Sequence, residues 1–416
     1  MFISLALLAH LFTFISVALS PSPVAAAPSR YVHPGVFLSR LQLDFIRLKV
    51  ILKLEPWKTA YDAMLATPMA FLNRTATPWQ VVECGSNSNP NKGCTPERQD
   101  ALAAYAMSLA WYIERKEVYA QKALEYMNAW SYVLQGHNNT NAPLQTGWSG
   151  ANWARAAEIM RHTYPGWQAA DIAQFETMLR TAYVPQLLVG SNSNGNWELV
   201  MMEAAIGIAV FLEDSSVYDA AMAKFLGRVP AYIYLSSDGD LPKIAPSQNA
   251  TLNTPAKLIK YWQYQDTFVD GLTQETCRDY AHAGYGLASI GHVMETARIQ
   301  GDNMYSDGWG RLKDFGTRLF KALEFHAQYE PTGGNLTVPS WLCNGTISRG
   351  LGPITEVGLN ALHARLRYPL PYTEKYRCSE TGWNKLSLRR LGNAHSRWMR
   401  VWMGMVVISF FAHTEQ

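Results

Sequence analysis

The 416-residue sequence is poor in charge and holds no block of it: only 17% of residues are charged, and 36 basic against 33 acidic side chains leave a net +3. Charge interspersed in this way excludes a basic stripe for nucleic acid. Alternating apolar and polar runs are absent, which excludes a strand-rich domain. No HExxH, CxxC, P-loop or GxSxG element occurs, and the histidines lack metal-ligand spacing. Neither a catalytic metal nor a cofactor is expected. Cysteine is scarce at five, which suits two disulfides in an oxidising compartment but not a small disulfide scaffold.

What is present is apolar surface: 48% of residues are hydrophobic, ample for a large core. Charge is absent before Arg30, and Phe2 to Leu19 is apolar up to the small residues Ala25-Ala26-Ala27. This reads as a secretory signal peptide over residues 1–27, leaving one domain over 28–416 and a secreted, extracellular product. No later stretch reads as membrane-spanning, so no membrane anchor is expected after cleavage. Sequons at Asn73, Asn138, Asn249, Asn335 and Asn344 agree with a secretory route and make N-glycans expected there. Cys84 and Cys94 bracket a flexible loop and form one expected pair, and Cys343 with Cys378 forms the other. Cys277 is then left as a small buried hydrophobe on a helix.

From Leu41 onward, apolar residues recur with helical period. Helices are expected over 97–116, 117–134, 151–163, 169–188, 196–212, 217–234, 274–300, 308–326, 354–367 and 393–413. Short joins at Arg115-Lys116-Glu117, Tyr164-Pro165-Gly166 and Glu213 to Ser216 match antiparallel helix pairs. Long polar loops at 84–96, 136–150, 235–267 and 330–353 are of the length that tends to be functional. The expected architecture is all-α, an (α/α)n toroid or incomplete barrel of hairpins whose long loops gather into a cleft.

Two polar intrusions carry candidate chemistry. In Gln274 to Leu287, helical spacing would set Arg278, His282 and Tyr285 in one row about 10 Å long, enough to follow one or two sugar rings. The alternative is a structural network in which Arg278 pairs with Glu275 or Asp279. Ser191 to Glu198 leads into an apolar helix. There Asn196 either caps the helix or turns its amide to the cleft, with Glu203 on the same face.

Taken together, these residues resemble the alginate-lyase-like family of α/α-toroid polysaccharide lyases, in a secreted, fungal-type form. The resemblance rests on His33-Pro34-Gly35 with Gln42 to Phe45, Gly147-Trp148, Ala156-Ala157-Glu158-Ile159 before Tyr164 to Trp167, Gly195-Asn196-Trp197, Gln274-Glu275 with Arg278-Asp279 and His282, and Pro371-Tyr372-Thr373. It implies β-elimination on a uronate-containing acidic polysaccharide, with catalytic roles for Asn196, Arg278, Tyr285 and His282. Trp197, Glu203, Gln274 and Trp148 become candidate substrate contacts. Where alginate lyases of this pattern carry His directly after the Asn, this chain has Trp197. Removing the C5 proton needs the neighbouring carboxylate neutralised, which Arg278 and Asn196 can do. A free Tyr titrates near 10, and Arg278 beside Tyr285 is expected to favour its phenolate, making one phenol base and acid. Two other readings remain: a glycoside hydrolase using a pair among Glu198, Glu203 and Glu275, and a non-catalytic protein that binds acidic glycans.

Overall fold

A computed structural model describes residues 26–306 and 314–380. The apolar run Phe2 to Leu19 and the helix expected over 393–413 lie outside the described residues. Helices dominate and follow one another as antiparallel pairs: α1 (Arg40–Ile51), α2 (Trp57–Leu65), α3 (Cys94–Glu114), α4 (Glu117–Ser131), α5 (Ala142–Thr163), α6 (Ala169–Met178), α7 (Val184–Val189), α8 (Gly195–Leu212) and α9 (Ser215–Tyr232). After a long connection holding α10 (Pro255–Tyr261) come α11 (Tyr280–Ile299), α12 (Phe315–Ala327), α13 (Glu356–Leu359) and α14 (Pro371–Glu380). A wider, π-helical turn over Leu179–Tyr183 joins α6 to α7. Another, over Asn360–Arg365, extends α13. Among the described residues, three short strands, β1 (Val81–Cys84), β2 (Asn91–Lys92) and β3 (Gly136–Asn138), form one small sheet in the order β2-β1-β3. The architecture is the expected helical toroid.

The joins are set by local chemistry. Arg115 takes a left-handed conformation and ends α3, so α4 restarts two residues later. Asp214 caps α9 by accepting from the Val217 N–H at 3.1 Å. α8 is apolar over most of its circumference, and a helix of that kind must be surrounded. It packs against α5, α9 and α11. At 18 residues it is long and apolar enough to cross a membrane by length and composition, contrary to the sequence reading, but it is 94% buried inside the fold.

α5 begins at Ala142, not Ala151, and consumes much of the loop expected over 136–150. The sequence hides this first half behind polar residues and glycines. Several polar side chains turn back onto the helix: Ser149 Oγ donates to the Gln145 carbonyl at 2.9 Å and Asn152 Nδ2 to the Trp148 carbonyl at 2.9 Å. The glycines let α5 approach α8, since a Cβ on Gly147 would fall 2.9 Å from Val200.

Cys84 and Cys94 are bonded as expected. The second disulfide joins Cys277 to Cys343, which corrects both the expected Cys343–Cys378 pair and the reading of Cys277 as an unpaired residue on a helix. Cys277 lies in irregular chain ahead of α11 and meets the 330–353 loop there. Spacing along the chain held no trace of that encounter.

Candidate active site

The first turn of α8 is the natural starting point, because its N–H groups have no partner within the helix and carry partial positive charge. α8 starts at Gly195, so Asn194 occupies the capping position and Asn196 lies inside the first turn. Asn196 is buried. Its Nδ2 stands 2.7 Å from each oxygen of Glu275, and its backbone N–H donates to Glu275 Oε2 at 3.2 Å. Gly195 N–H donates to Gln274 Oε1 at 3.0 Å. Two successive side chains of a distant segment therefore close the positive end of the helix.

That segment is not helical. The expected helix from Gln274 starts at Tyr280, because Asp279 caps it and accepts from His282 N–H at 2.8 Å. The single helical row is thus corrected: Arg278 precedes the helix, and only His282 and Tyr285 share it. The segment is held from several sides. Thr273 and Thr276 hydroxyls lie 3.3 and 3.0 Å from His326 Nε2, Gln274 Nε2 donates to the Tyr261 carbonyl at 2.6 Å, and Cys277 is bonded to Cys343.

Glu275 is the hub. Besides Asn196 it accepts from an Arg278 guanidinium N–H at 2.8 Å and from the Tyr232 hydroxyl at 3.1 Å. Arg278 also faces Asp279 at 3.9 Å, so both partners named by the structural reading of this segment are present. Tyr232 reaches Glu275 only because two helices bear glycine where its ring passes. A Cβ on Gly195 would lie 2.3 Å from that ring, and one on Gly286 2.4 Å from its hydroxyl. Tyr232 was not singled out from the sequence; Gly195 at the start of α8 and Gly286 two turns into α11 were the available signal.

His282 and Tyr285 form the exposed side of the cluster. Asp279 holds His282 Nδ1 at 2.7 Å from each oxygen, and the His282 ring meets Tyr285 edge-on, centroids 5.5 Å apart. A carboxylate acceptor at Nδ1 means that the neutral imidazole carries its lone pair on Nε2. Burial by itself would raise the Asp279 carboxyl, but hydrogen bonds from His282 and the charges of His282 and Arg278 outweigh it and hold it below the usual range. Tyr285 is pushed up to about 12, by burial first and by Asp279 second, with Arg278 opposing. Arg278 does favour the phenolate, as expected, but desolvation is the larger effect. Tyr232 is driven well above the usual phenol value by burial and by Glu275.

The candidate substrate contacts divide. Gln274 belongs to the cluster, and half-buried Trp197 is adjacent to Asn196. Half-buried Trp148 follows the point where α5 meets α8 and has the Arg98 guanidinium 5.3 Å from its ring centroid. Glu203 lies two turns along α8, where Arg155 donates to it and His292 Nδ1 stands at 2.9 Å, in a network separate from Glu275. Glu198 is likewise committed, with Arg228 Nε at 2.6 Å and both side chains buried.

Residues 58–251 match the model of the alginate lyase family. The resemblance read from the residues agrees with that match, and with the helical fold that the chain shares with solved alginate lyases. Asn196 and Trp197 fall inside the matched span, while Gln274 to Tyr285 follow it. Solved structures of alginate lyase A1-III share the fold. One in complex with a tetrasaccharide aligns with TM-score 0.54 at 15% identity, covering 84% of this chain and 92% of that one. Another, from Sphingomonas species A1, gives TM-score 0.50 at 15% identity with the same coverage. No curated protein sequence matches the chain.

Proposed function

We propose that the protein cleaves 4-O-linked uronate polymers of the polymannuronate or polyglucuronate type by β-elimination, as a secreted and glycosylated enzyme. The observation that carries this reading is the gathering of Asn196 and Arg278 on Glu275, beside Tyr285 and His282. Glu275 fixes the amide and the guanidinium before substrate arrives, so their remaining N–H capacity needs little reorganisation to meet a uronate carboxylate. Neutralising that carboxylate acidifies the C5 proton. Tyr285 first releases its proton to solvent, then takes the C5 proton as phenolate and passes it to the leaving O4; with the phenol at about 12 the phenolate is a minor form near neutrality but a strong base. His282 is oriented by Asp279 and stands edge-on beside Tyr285. The sequons support passage through a secretory route, since all five Asn residues are exposed.

In β-linked mannuronate and glucuronate the C5 hydrogen and the C4 oxygen lie on the same side of the ring, within reach of one phenol. In guluronate they lie on opposite sides. His282 and Tyr285 share one helix and touch edge-on, which favours attack from a single face. The hydrolase reading loses support because Glu198, Glu203 and Glu275 are each engaged by arginine. The test is incubation with polymannuronate, polyglucuronate and polyguluronate while following ultraviolet absorbance of the 4,5-unsaturated product. Absorbance should rise fastest on the first two. New reducing ends without absorbance would show hydrolysis, absence of product would leave a binding protein, and a preference for polyguluronate would overturn the single-phenol mechanism.

A further inference from the structure

The far end of α8 carries a second concentration of polar groups, which the proposed reaction does not use. Glu158 and His162 stand four residues apart on α5 and so share a face, and His33 reaches them from the N-terminal segment. Glu158 is fully buried, and its Oε2 accepts the Gly35 N–H at 2.8 Å. Its Oε1 faces both imidazoles, with His33 Nδ1 at 3.1 Å and His162 Nε2 at 3.5 Å. The two rings lie parallel, centroids 4.2 Å apart and planes within 9°. Glu213, the residue that ends α8, places Oε1 3.3 Å from the other nitrogen of His33.

We propose that His33, Glu158 and His162 form a structural site for a divalent transition metal, Zn²⁺ in the first instance. Three arguments converge. The nitrogen and oxygen donors lie within 4.8 Å of one another, and the two distances to Glu158 Oε1 bracket the edge of a tetrahedral shell, about 3.4 Å for bonds of about 2.1 Å. His162 Nε2 is buried and has no aligned hydrogen-bond partner, a costly arrangement that a metal bond would relieve. Two protonated imidazoles stacked at this distance would repel, whereas a shared cation lets both rings bind as neutral ligands. Glu213 at the distal nitrogen of His33 is the outer carboxylate that orients a metal-bound histidine. Two imidazoles and one carboxylate with a fourth position for water suit zinc over calcium or magnesium.

Glu213, at the edge of this site, is 17 residues from Asn196 along α8, about 26 Å at 1.5 Å per residue, so the metal takes no part in elimination. The full chain, stripped with chelator and returned to metal-free buffer, is titrated with ZnCl₂ by calorimetry, with Tm followed in parallel. One equivalent should bind, Tm should rise and saturate at that ratio, and the elimination rate should stay unchanged. Co²⁺ should show the intense visible bands of a tetrahedral site. His162 is partly exposed, so His162→Ala should fold and lose the binding, the Tm rise and the cobalt spectrum together. Failure to bind zinc, or binding that persists in His162→Ala, overturns the proposal.

Discussion

The two ends of α8 solve the same problem with different chemistry. At each end a carboxylate is buried, Glu275 at the start and Glu158 at the finish, and each is held by two or more side chains and a backbone N–H. Glu275 is met by an amide, a guanidinium and a phenol, donors that keep their protons throughout the neutral range. Glu158 is met by two imidazoles, which can give theirs up. Permanent donors make Glu275 a fixed frame on which neighbouring groups are aligned. Exchangeable donors make Glu158 a place where a proton and a metal can compete.

Several measurements would break or sharpen this contrast. The largest effect belongs to the phenol beside the frame: Tyr285→Phe should lower kcat by about 10³-fold with Tm unchanged, the order expected when an acid–base group is removed. Retained activity within a few-fold of wild type would shift proton transfer to His282. Glu275→Gln keeps the shape of the hub but loses its charge. It should cost about 10²-fold in kcat/KM as Asn196 and Arg278 drift, while Glu158→Gln in folded protein should leave kcat untouched. If both substitutions cost the same, the two ends are not functionally distinct.

A smaller but diagnostic effect lies in the pH profile. With Tyr285 at about 12, its basic form grows about tenfold per pH unit through the neutral range, so kcat/KM should climb from pH 7 to 9 without levelling. A plateau reached near neutrality would instead identify a histidine base. The gentlest test concerns His326, which supports the Glu275 segment through Thr273 and Thr276. Burial pulls it down to about 4. The unfolded chain takes up this proton near 6.5, so stability from this group is complete above that value. It should fall by about 1.4 kcal/mol per unit as pH drops toward 4, then level off. Denaturation midpoints across that window should lose this slope in His326→Gln.

Much of this architecture was legible in the sequence, because helical periodicity and hairpin breaks are local signals. α8, the α3–α4 join and the Cys84–Cys94 bond needed no knowledge of distant chain. Misreadings arose where tertiary partners override local pattern. The buried polar half of α5 read as a loop because its partners are not evident from local spacing, and α11 was begun six residues early because the capping role of Asp279 outranked the apparent continuation of the helix. The Arg278–Glu275 pair was among the readings of the sequence, but the meeting of Asn196 and Tyr232 with Glu275 was not. A hub built from residues about 80 positions apart leaves no spacing to detect. The His33, Glu158 and His162 group escaped for the same reason.

The bond between Cys277 and Cys343 ties the residue before Arg278 across 66 positions to the 330–353 loop. In the chain-entropy view, a cross-link of that span restricts the unfolded ensemble by about 4 kcal/mol. Its position matters more than its strength. Arg278 sits in chain that is neither helix nor strand, and the cross-link is its nearest covalent anchor. The helix pairs are held by their own packing, whereas the placement of Arg278 leans on a bond that exists only between oxidised cysteines.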